Sequence, residues 1–111
     1  MGPGGVRDRM QRDLRVAIKA RDHTRVSVLR STLGAIANAE AVPAQDRPNV
    51  PGGDATTEVD RRELTDADVA AVVAREIDEL RRDATLHRDR GDAVPLADLE
   101  ARLAILEAYA G

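Results

Sequence analysis

The chain has 111 residues, a net charge of −3 and no cysteine, which indicates one small domain without a disulfide framework or a cysteine-ligated metal. Tyr109 is its single aromatic residue, so a surface of aromatic side chains that stack on nucleic-acid bases is excluded. No apolar run is long enough to cross a membrane, and the first residues lack the apolar core of a secretory signal. We therefore expect a cytoplasmic protein.

Charge is unevenly distributed along the chain. Residues 1–42 carry eight basic and four acidic side chains, a net charge of +4, whereas residues 43–111 carry nine basic and sixteen acidic ones, a net charge of −7. A basic segment of this kind can attract a phosphate backbone. The alternative is that the two oppositely charged parts of the chain attract each other.

The first helix is predicted over residues 6–21, because its apolar side chains recur at helical spacing. These are Val6, Met10, Leu14, Ala17 and Ile18. The rest of the helix carries the four cations of a candidate RNA contact: Arg9, Arg12, Arg15 and Lys19. Grouped cations suit an RNA backbone, and the alternative is a solvated helix face with an Asp8–Arg12 ion pair at i, i+4.

The second helix is predicted over residues 23–42, between Asp22, a good N-cap, and Pro43, which should end it. Its apolar side chains form two faces, which is typical of a central helix with several neighbours. The main face holds Val26, Leu29, Leu33, Ile36 and Ala37, and the second holds Val28, Ala35 and Ala39. We expect Gly34 and the nearby serines to let neighbouring helices approach, and Asn38 and Glu40 to bond to the linker or cap a neighbouring helix.

Residues 43–64 contain three prolines, two adjacent glycines and few apolar side chains, a composition that predicts a flexible linker. A third helix then begins at the cap Thr65, with acidic residues at the positive end of the helix dipole, and Gly91 is its expected C-cap. Its apolar stripe is Val69, Val72, Val73, Ile77, Leu80 and Ala84.

A fourth helix is predicted from Pro95, since proline suits the first helical position. Its inward side chains are Leu96, Leu99, Leu103, Leu106 and Ala110. Ile105 and Tyr109 lie one turn apart on a different side, and we predict that they form an apolar interface through which helix 4 self-associates.

These segments together predict one all-α domain, residues 1–111, built as a small helical bundle of two helical hairpins. The first hairpin is residues 1–42, the flexible linker is residues 43–64 and the second hairpin is residues 65–111. Helices are an economical way to fill a small core of Leu, Val, Ile and Ala.

Glu76 lies inside the apolar stripe of the third helix, and Arg30 lies at the margin of the main apolar face of the second. An unpaired buried carboxylate is costly, so we predict a structural Arg30–Glu76 ion pair, or a pair of Glu76 with another arginine of the first helix. Such a pair would determine the helix register. The alternative role for Glu76 is a general acid or base with a shifted pKa.

No catalytic residue, metal ligand or cofactor-binding residue is predicted. Ser27 and Ser31 could suggest a serine nucleophile with Lys19, but the chain lacks the Gly/Ser-rich setting of serine–lysine amidases. His23 and His87 lie far apart in the sequence, which does not make a metal site.

Three stretches resemble the GatB/YqeY family. They are RDLRVAIKARDHTRVSVLRSTLGAIANAE (12–40), RRELTDADVAAVVAREIDELRRDA (61–84) and LADLEARLAILEAYAG (96–111), and K-A-R-D, S-x-L-R and A-I-x-N-x-E are the most distinctive letters. The resemblance covers residues 7–42 and 61–110. Residues 43–60 form a longer connection than is usual in the family. The family normally continues past helix 4 into a small helical bundle, whereas this sequence ends at Gly111.

The family is similar to the tail region of the GatB component of the aspartyl/glutamyl-tRNA amidotransferase, which contacts tRNA while the chemistry takes place in other domains. The resemblance therefore implies a non-catalytic, all-helical, amidotransferase-tail-like module that contacts tRNA or a translation-related complex. The alternative is a protein-interaction or self-association module that binds no RNA. Activity as a carbon–nitrogen ligase with glutamine as amido donor is implied by the family label alone, and we expect no cofactor.

Overall fold

The computed structural model describes residues 5–46 and 64–110 (for residues 42–46, the backbone alone). This part of the chain contains four helices and no strand: α1 (Val6–Ala20), α2 (His23–Asp46), α3 (Asp66–Arg90) and α4 (Ala93–Glu107). Helices α1 and α2 pack against each other, as do α3 and α4. The predicted all-α bundle of two helical hairpins is confirmed. Of the predicted linker, residues 47–63 lie outside the described residues.

The turn between α1 and α2 is built by Arg21 and Asp22. Arg21 adopts the left-handed conformation, with a φ of 59°, and its amide donates to the carbonyl of Ile18 at 3.1 Å. The Asp22 carboxylate accepts a hydrogen bond from the Arg25 amide at 3.1 Å, which is the bond that an N-cap makes. The predicted cap of the second helix is confirmed.

Helix α3 begins and ends as predicted. The Thr65 hydroxyl accepts from the Asp68 amide at 3.1 Å, and the Asp68 carboxylate accepts from the Thr65 amide at 3.0 Å, so the two residues form a capping box. At the other end Gly91 has a φ of 77°, and its amide donates to the Arg88 carbonyl at 3.1 Å.

Two helix ends differ from their predicted positions. Helix α2 passes through Pro43 and ends at Asp46, so the predicted end at the proline is wrong. Helix α4 begins at Ala93, with Asp92 at its N-cap, and Pro95 takes the third helical position. The amide of that position has no partner within the helix, so proline is tolerated there as well as at the first position.

Helix α2 is the central element, as its two apolar faces predict, since it packs against each of the other three helices. Its Leu29 and Ile36 are fully buried, together with Met10 of α1. The α3 stripe is buried as predicted, with Leu80 at its edge. Three predicted core positions are instead exposed: Ile18, Ala37 and Ala110.

Exposure at Ile18 has a simple geometric reason. Consecutive helical residues are separated by about 100° around the axis, so Ile18 and the buried Ala17 cannot share a narrow buried face. The Ile18 side chain is 47% exposed. The apolar stripe of α1 is therefore narrower than the sequence pattern indicates.

Gly34 does not allow a neighbouring helix to approach, which corrects the prediction made for it. It is exposed, and a Cβ added there would meet nothing within 4 Å. Gly91, by contrast, requires a left-handed conformation that residues with a side chain rarely adopt.

The two glycines make a matched pair of substitutions to alanine. We expect Gly91→Ala to lower the free energy of unfolding by about 1 kcal/mol, because of its positive φ. We expect Gly34→Ala to raise it by about 0.5–1 kcal/mol, because alanine is the better helix former and open space surrounds the site. Urea denaturation followed by circular dichroism measures both, and equal signs for the two variants would contradict these assignments.

Candidate functional site

Three of the four predicted RNA-contact cations form one exposed surface on α1, called here the basic face: Arg12, Arg15 and Lys19. Within residues 5–46 and 64–110, none of the three takes part in an ion pair. Asp8 and Gln11 line a shallow groove together with Arg12 and Arg15. The alternative prediction of an Asp8–Arg12 ion pair is wrong, so the charges of this face are turned to solvent.

Arg9, the fourth predicted cation, has a different position. It is half-buried, and its guanidinium carbon lies 5.2 Å from the centroid of the Tyr109 ring. A guanidinium at this distance makes a cation–π interaction. Arg9 therefore contributes to packing between α1 and the chain after α4, and its charge is directed away from the basic face.

Tyr109 is a core residue, which corrects its predicted place in an apolar interface. Its side chain is 7% exposed, and its hydroxyl donates a hydrogen bond to the carboxylate of Asp13. Ile105 is half-buried and packs against the same core. Tyr109 is buried because the turn after α4 brings it against α1. The apolar patch predicted on helix 4 is therefore covered by residues of the same chain.

Burial, the hydrogen bond to Asp13 and the negative charge of Asp13 together raise the pKa of Tyr109 to about 12, with burial as the largest cause. The ionised phenolate would lose its bond to Asp13 and be repelled by the carboxylate. Tyr109 is therefore a hydrogen-bond donor in the folded protein at neutral pH.

Glu40 binds Arg7, a partner that the sequence did not predict. The predicted contact of Glu40 with the linker involves residues that lie mostly outside the described ranges. The two terminal guanidinium nitrogens of Arg7 donate to the Glu40 carboxylate, one of them at 3.0 Å. This hydrogen bond is the main cause of a raised pKa of Arg7. The pair joins the start of α1 to α2, and its bidentate geometry is the strong form of an arginine–carboxylate contact.

The predicted Arg30–Glu76 ion pair is not formed. Arg30 is exposed, and no ion pair among the described residues includes Arg30 or Glu76. Desolvation by burial is the main cause of a raised pKa of Glu76. Because Glu76 is only half-buried, its carboxylate keeps part of its hydration and the cost of leaving it unpaired is limited.

Glu76 instead lines a small cavity between α2, α3 and α4. Ser31 and Thr32 of α2 and Arg102 of α4 also line it. Arg102 donates to Ser27 at 3.1 Å from one terminal nitrogen and to Asp98 at 2.8 Å from Nε. The hydroxyl of Ser27 is the acceptor in its contact with Arg102.

Two ion pairs between α3 and α4 have no counterpart in the sequence predictions. Arg81 binds Glu107 at 3.0 Å, and Arg88 binds Glu100 at 3.3 Å. The two arginines are seven residues apart on α3, as are the two glutamates on α4, in opposite chain directions. This is the pairing that two antiparallel helices impose, and it could be found from sequence only once the turn at Gly91 is located.

His87 also lies at this turn, where it supports the hairpin. Its Nδ1 atom lies 3.0 Å from the carboxylate of Asp92, the N-cap of α4. In the described ranges no group of three or more histidine, cysteine or acidic side chains is placed to hold a metal ion, and no helix there is long and apolar enough to cross a membrane.

No protein-family model matches the chain, and no curated protein or solved structure matches it. The resemblance to the GatB/YqeY family therefore stays a prediction from the residues quoted above.

The single tyrosine makes its own titration measurable without labels. We expect the absorbance of tyrosinate in the folded protein to appear with a midpoint near pH 12, against about 10 in the denatured chain. Asp13→Asn should lower the midpoint and leave it above 10, because burial remains the larger cause. A folded-state midpoint near 10, with helicity intact by circular dichroism, would contradict the buried contact.

The raised pKa of Tyr109 also sets a pH dependence of stability. Because the folded-state pKa lies above the unfolded one, the stabilisation from Tyr109 is complete below about pH 10 and is lost as pH rises toward about 12. Denaturation of the wild type and of Tyr109→Phe measures this. The phenylalanine variant should lack this part of the alkaline loss.

Glu76→Gln should stabilise the protein. Because the folded-state pKa of Glu76 is raised, its destabilising effect is absent at low pH and develops as pH rises through that pKa. We expect a gain of about 0.5 kcal/mol in the free energy of unfolding near pH 7 and none near pH 3. Arg30→Gln is the matched control and should change little. A loss of stability in both variants would contradict this assignment and support the predicted Arg30–Glu76 ion pair.

Proposed function

We propose that this chain is a non-catalytic helical module that contacts the phosphate backbone of tRNA through the basic face of α1. The observation that carries the proposal is the state of Arg12, Arg15 and Lys19, which are exposed and without ion-pair partners within the described ranges. Among the described residues, five arginines outside this face bind a carboxylate: Arg7, Arg25, Arg81, Arg88 and Arg102. The three charges of the basic face are available to an external anion.

The spacing of the basic face supports a backbone contact. Its residues stand at i, i+3 and i+7 and span about 10 Å along the helix axis, so they present a short row of positive charge to a polyanion. The one aromatic ring of the chain is buried, which leaves no stacking platform for bases. Binding of this kind is weak, sequence-independent and sensitive to salt.

The choice of tRNA among RNAs rests on the predicted resemblance of residues 7–42 and 61–110 to the GatB/YqeY family, because that family is similar to the tail region of the amidotransferase. An alternative is a protein-interaction module that binds no RNA. Exposed apolar side chains favour it, because Val16 is 66% and Val94 81% exposed, although single exposed apolar residues are common on protein surfaces.

Charge reversal tests the proposal. With unfractionated tRNA in fluorescence anisotropy, three phosphate contacts predict an affinity loss of about 20–40-fold between about 50 and about 200 mM salt. Changing Arg12, Arg15 and Lys19 together to Glu should weaken binding at low salt at least about tenfold and remove most of the salt dependence.

A matched control keeps the same change in net charge. Arg30, Arg75 and Arg90 are also exposed and lie outside the basic face, so their joint change to Glu should reduce affinity by less than about threefold. An equal loss in both triple variants would mean that only net charge matters. Absence of salt-dependent binding by the wild type would reject RNA contact altogether.

A further inference from the structure

The outward side of α3 carries a second surface that the basic face does not use. It is a shallow groove, called here the Leu86 groove, lined by Arg81, Arg82, Thr85, Leu86 and Asp89. Its volume is about 440 Å³, and the Leu86 side chain is 45% exposed. A large apolar side chain in an open groove is a contact point that a partner can cover.

Leu86 lies between two side chains of opposite charge, Arg82 and Asp89, that have no ion-pair partner among the described residues. Arg81 is paired with Glu107, but Arg82 and Asp89 are exposed and make no ion pair to any residue of 5–46 or 64–110. They lie at the two ends of the groove with Leu86 between them. A partner must therefore offer a negative charge at one end, an apolar group in the middle and a positive charge at the other.

The α3 helix of a second copy, running antiparallel to the first, presents these three groups in the required order. Arg82, Leu86 and Asp89 stand at i, i+4 and i+7, within about 60° of the helix circumference, and Arg82 and Asp89 are about 10 Å apart along the axis. A two-fold axis across the helix between Thr85 and Leu86 exchanges the ends of the row. Each Arg82 then faces the partner's Asp89, and the two leucines meet between the charge pairs.

We propose that a second copy of this chain docks on the Leu86 groove, antiparallel along α3, as a two-fold symmetric dimer. Such an interface is self-complementary, because every contact occurs twice. It replaces the predicted self-association through helix 4, whose Tyr109 is buried within one chain. The proposal goes beyond RNA contact and does not depend on it, since the basic face lies on α1.

The small apolar area of the groove makes this a weak dimer, with a dissociation constant between about 1 µM and about 1 mM. Sedimentation velocity of the full chain across that range should show a monomer–dimer equilibrium. Leu86→Asp should raise the dissociation constant at least about tenfold, because two carboxylates would meet at the two-fold axis. Val94→Asp is the matched control: Val94 is more exposed than Leu86 and does not line the groove, so dimerisation should be unchanged.

A charge exchange tests the antiparallel register. Arg82→Asp alone places two carboxylates against each other in each pair, and Asp89→Arg alone places two guanidinium groups there, so each should weaken the dimer. The double variant restores opposite charges and should return the dissociation constant to within about threefold of the wild type. Circular dichroism checks that all variants keep their helices, which exposed positions should allow.

Three results would overturn the proposal. A chain that stays monomeric at about 1 mM leaves the groove to solvent or to a different protein. Equal weakening by Leu86→Asp and Val94→Asp places the contact elsewhere. Failure of the double exchange to restore the dimer rejects the antiparallel pairing.

Discussion

Burial of the middle of α2 is the constraint on which the arrangement of the other helices depends. Leu29 and Ile36 lie seven residues apart, and both are completely shielded from water. The chain has only one aromatic residue, so its core is built mainly from aliphatic side chains. Close packing of these side chains requires neighbouring helices on several sides of α2. Helices α1, α3 and α4 all contact α2 for this reason. Thr32, which lies between Leu29 and Ile36 in the sequence, is a buried polar side chain within the same contacts.

The arginines divide into two groups by what answers their charge. In the first group, Arg7, Arg81 and Arg88 each bind a carboxylate of the neighbouring helix in their hairpin. Arg25 and Arg102 bind carboxylates nearby in the sequence, and Arg9 packs over Tyr109. The second group is exposed and makes no ion pair within residues 5–46 and 64–110. It consists of Arg12 and Arg15 of the basic face, Arg82 on α3, and Arg21, Arg30, Arg75 and Arg90. Arginines of the first group stabilise the bundle, whereas those of the second group can bind an external partner. The number of cations in the sequence does not show which arginine belongs to which group.

The features that could be predicted from sequence are those set by near neighbours in the chain. Examples are the Thr65 capping box, the Gly91 turn and the apolar stripe of α3. Each depends on residues within one or two helical turns, so each can be recognised from the sequence alone. Among local predictions, the helix end at Pro43 and the Asp8–Arg12 ion pair were wrong, whereas the failed predictions for Arg30, Glu76 and Tyr109 depended on the rotation or reach of one helix against another. Periodicity placed Glu76 on an apolar stripe, but it could not show that Arg30 points to solvent.

Tyr109 shows the same limit for the candidate site. It lies 96 residues from Asp13, and nothing in its spacing from Ile105 distinguishes an external patch from an internal contact. The exposure of Arg12, Arg15 and Lys19 followed from the α1 pattern, whereas the loss of Arg9 from that set depended on where Tyr109 lies. The Leu86 groove had no sequence signal, because one leucine between charged residues is ordinary on a helix surface.

The long separation between Tyr109 and Asp13 has a consequence for the order of folding. The two helical hairpins are made of local contacts, which close short loops and form early, whereas this contact requires the far ends of the chain to meet. Formed after the main barrier, it would contribute to how slowly the folded chain opens and little to how fast it assembles. Loss of the Tyr109 hydroxyl would then speed unfolding more than it would slow folding.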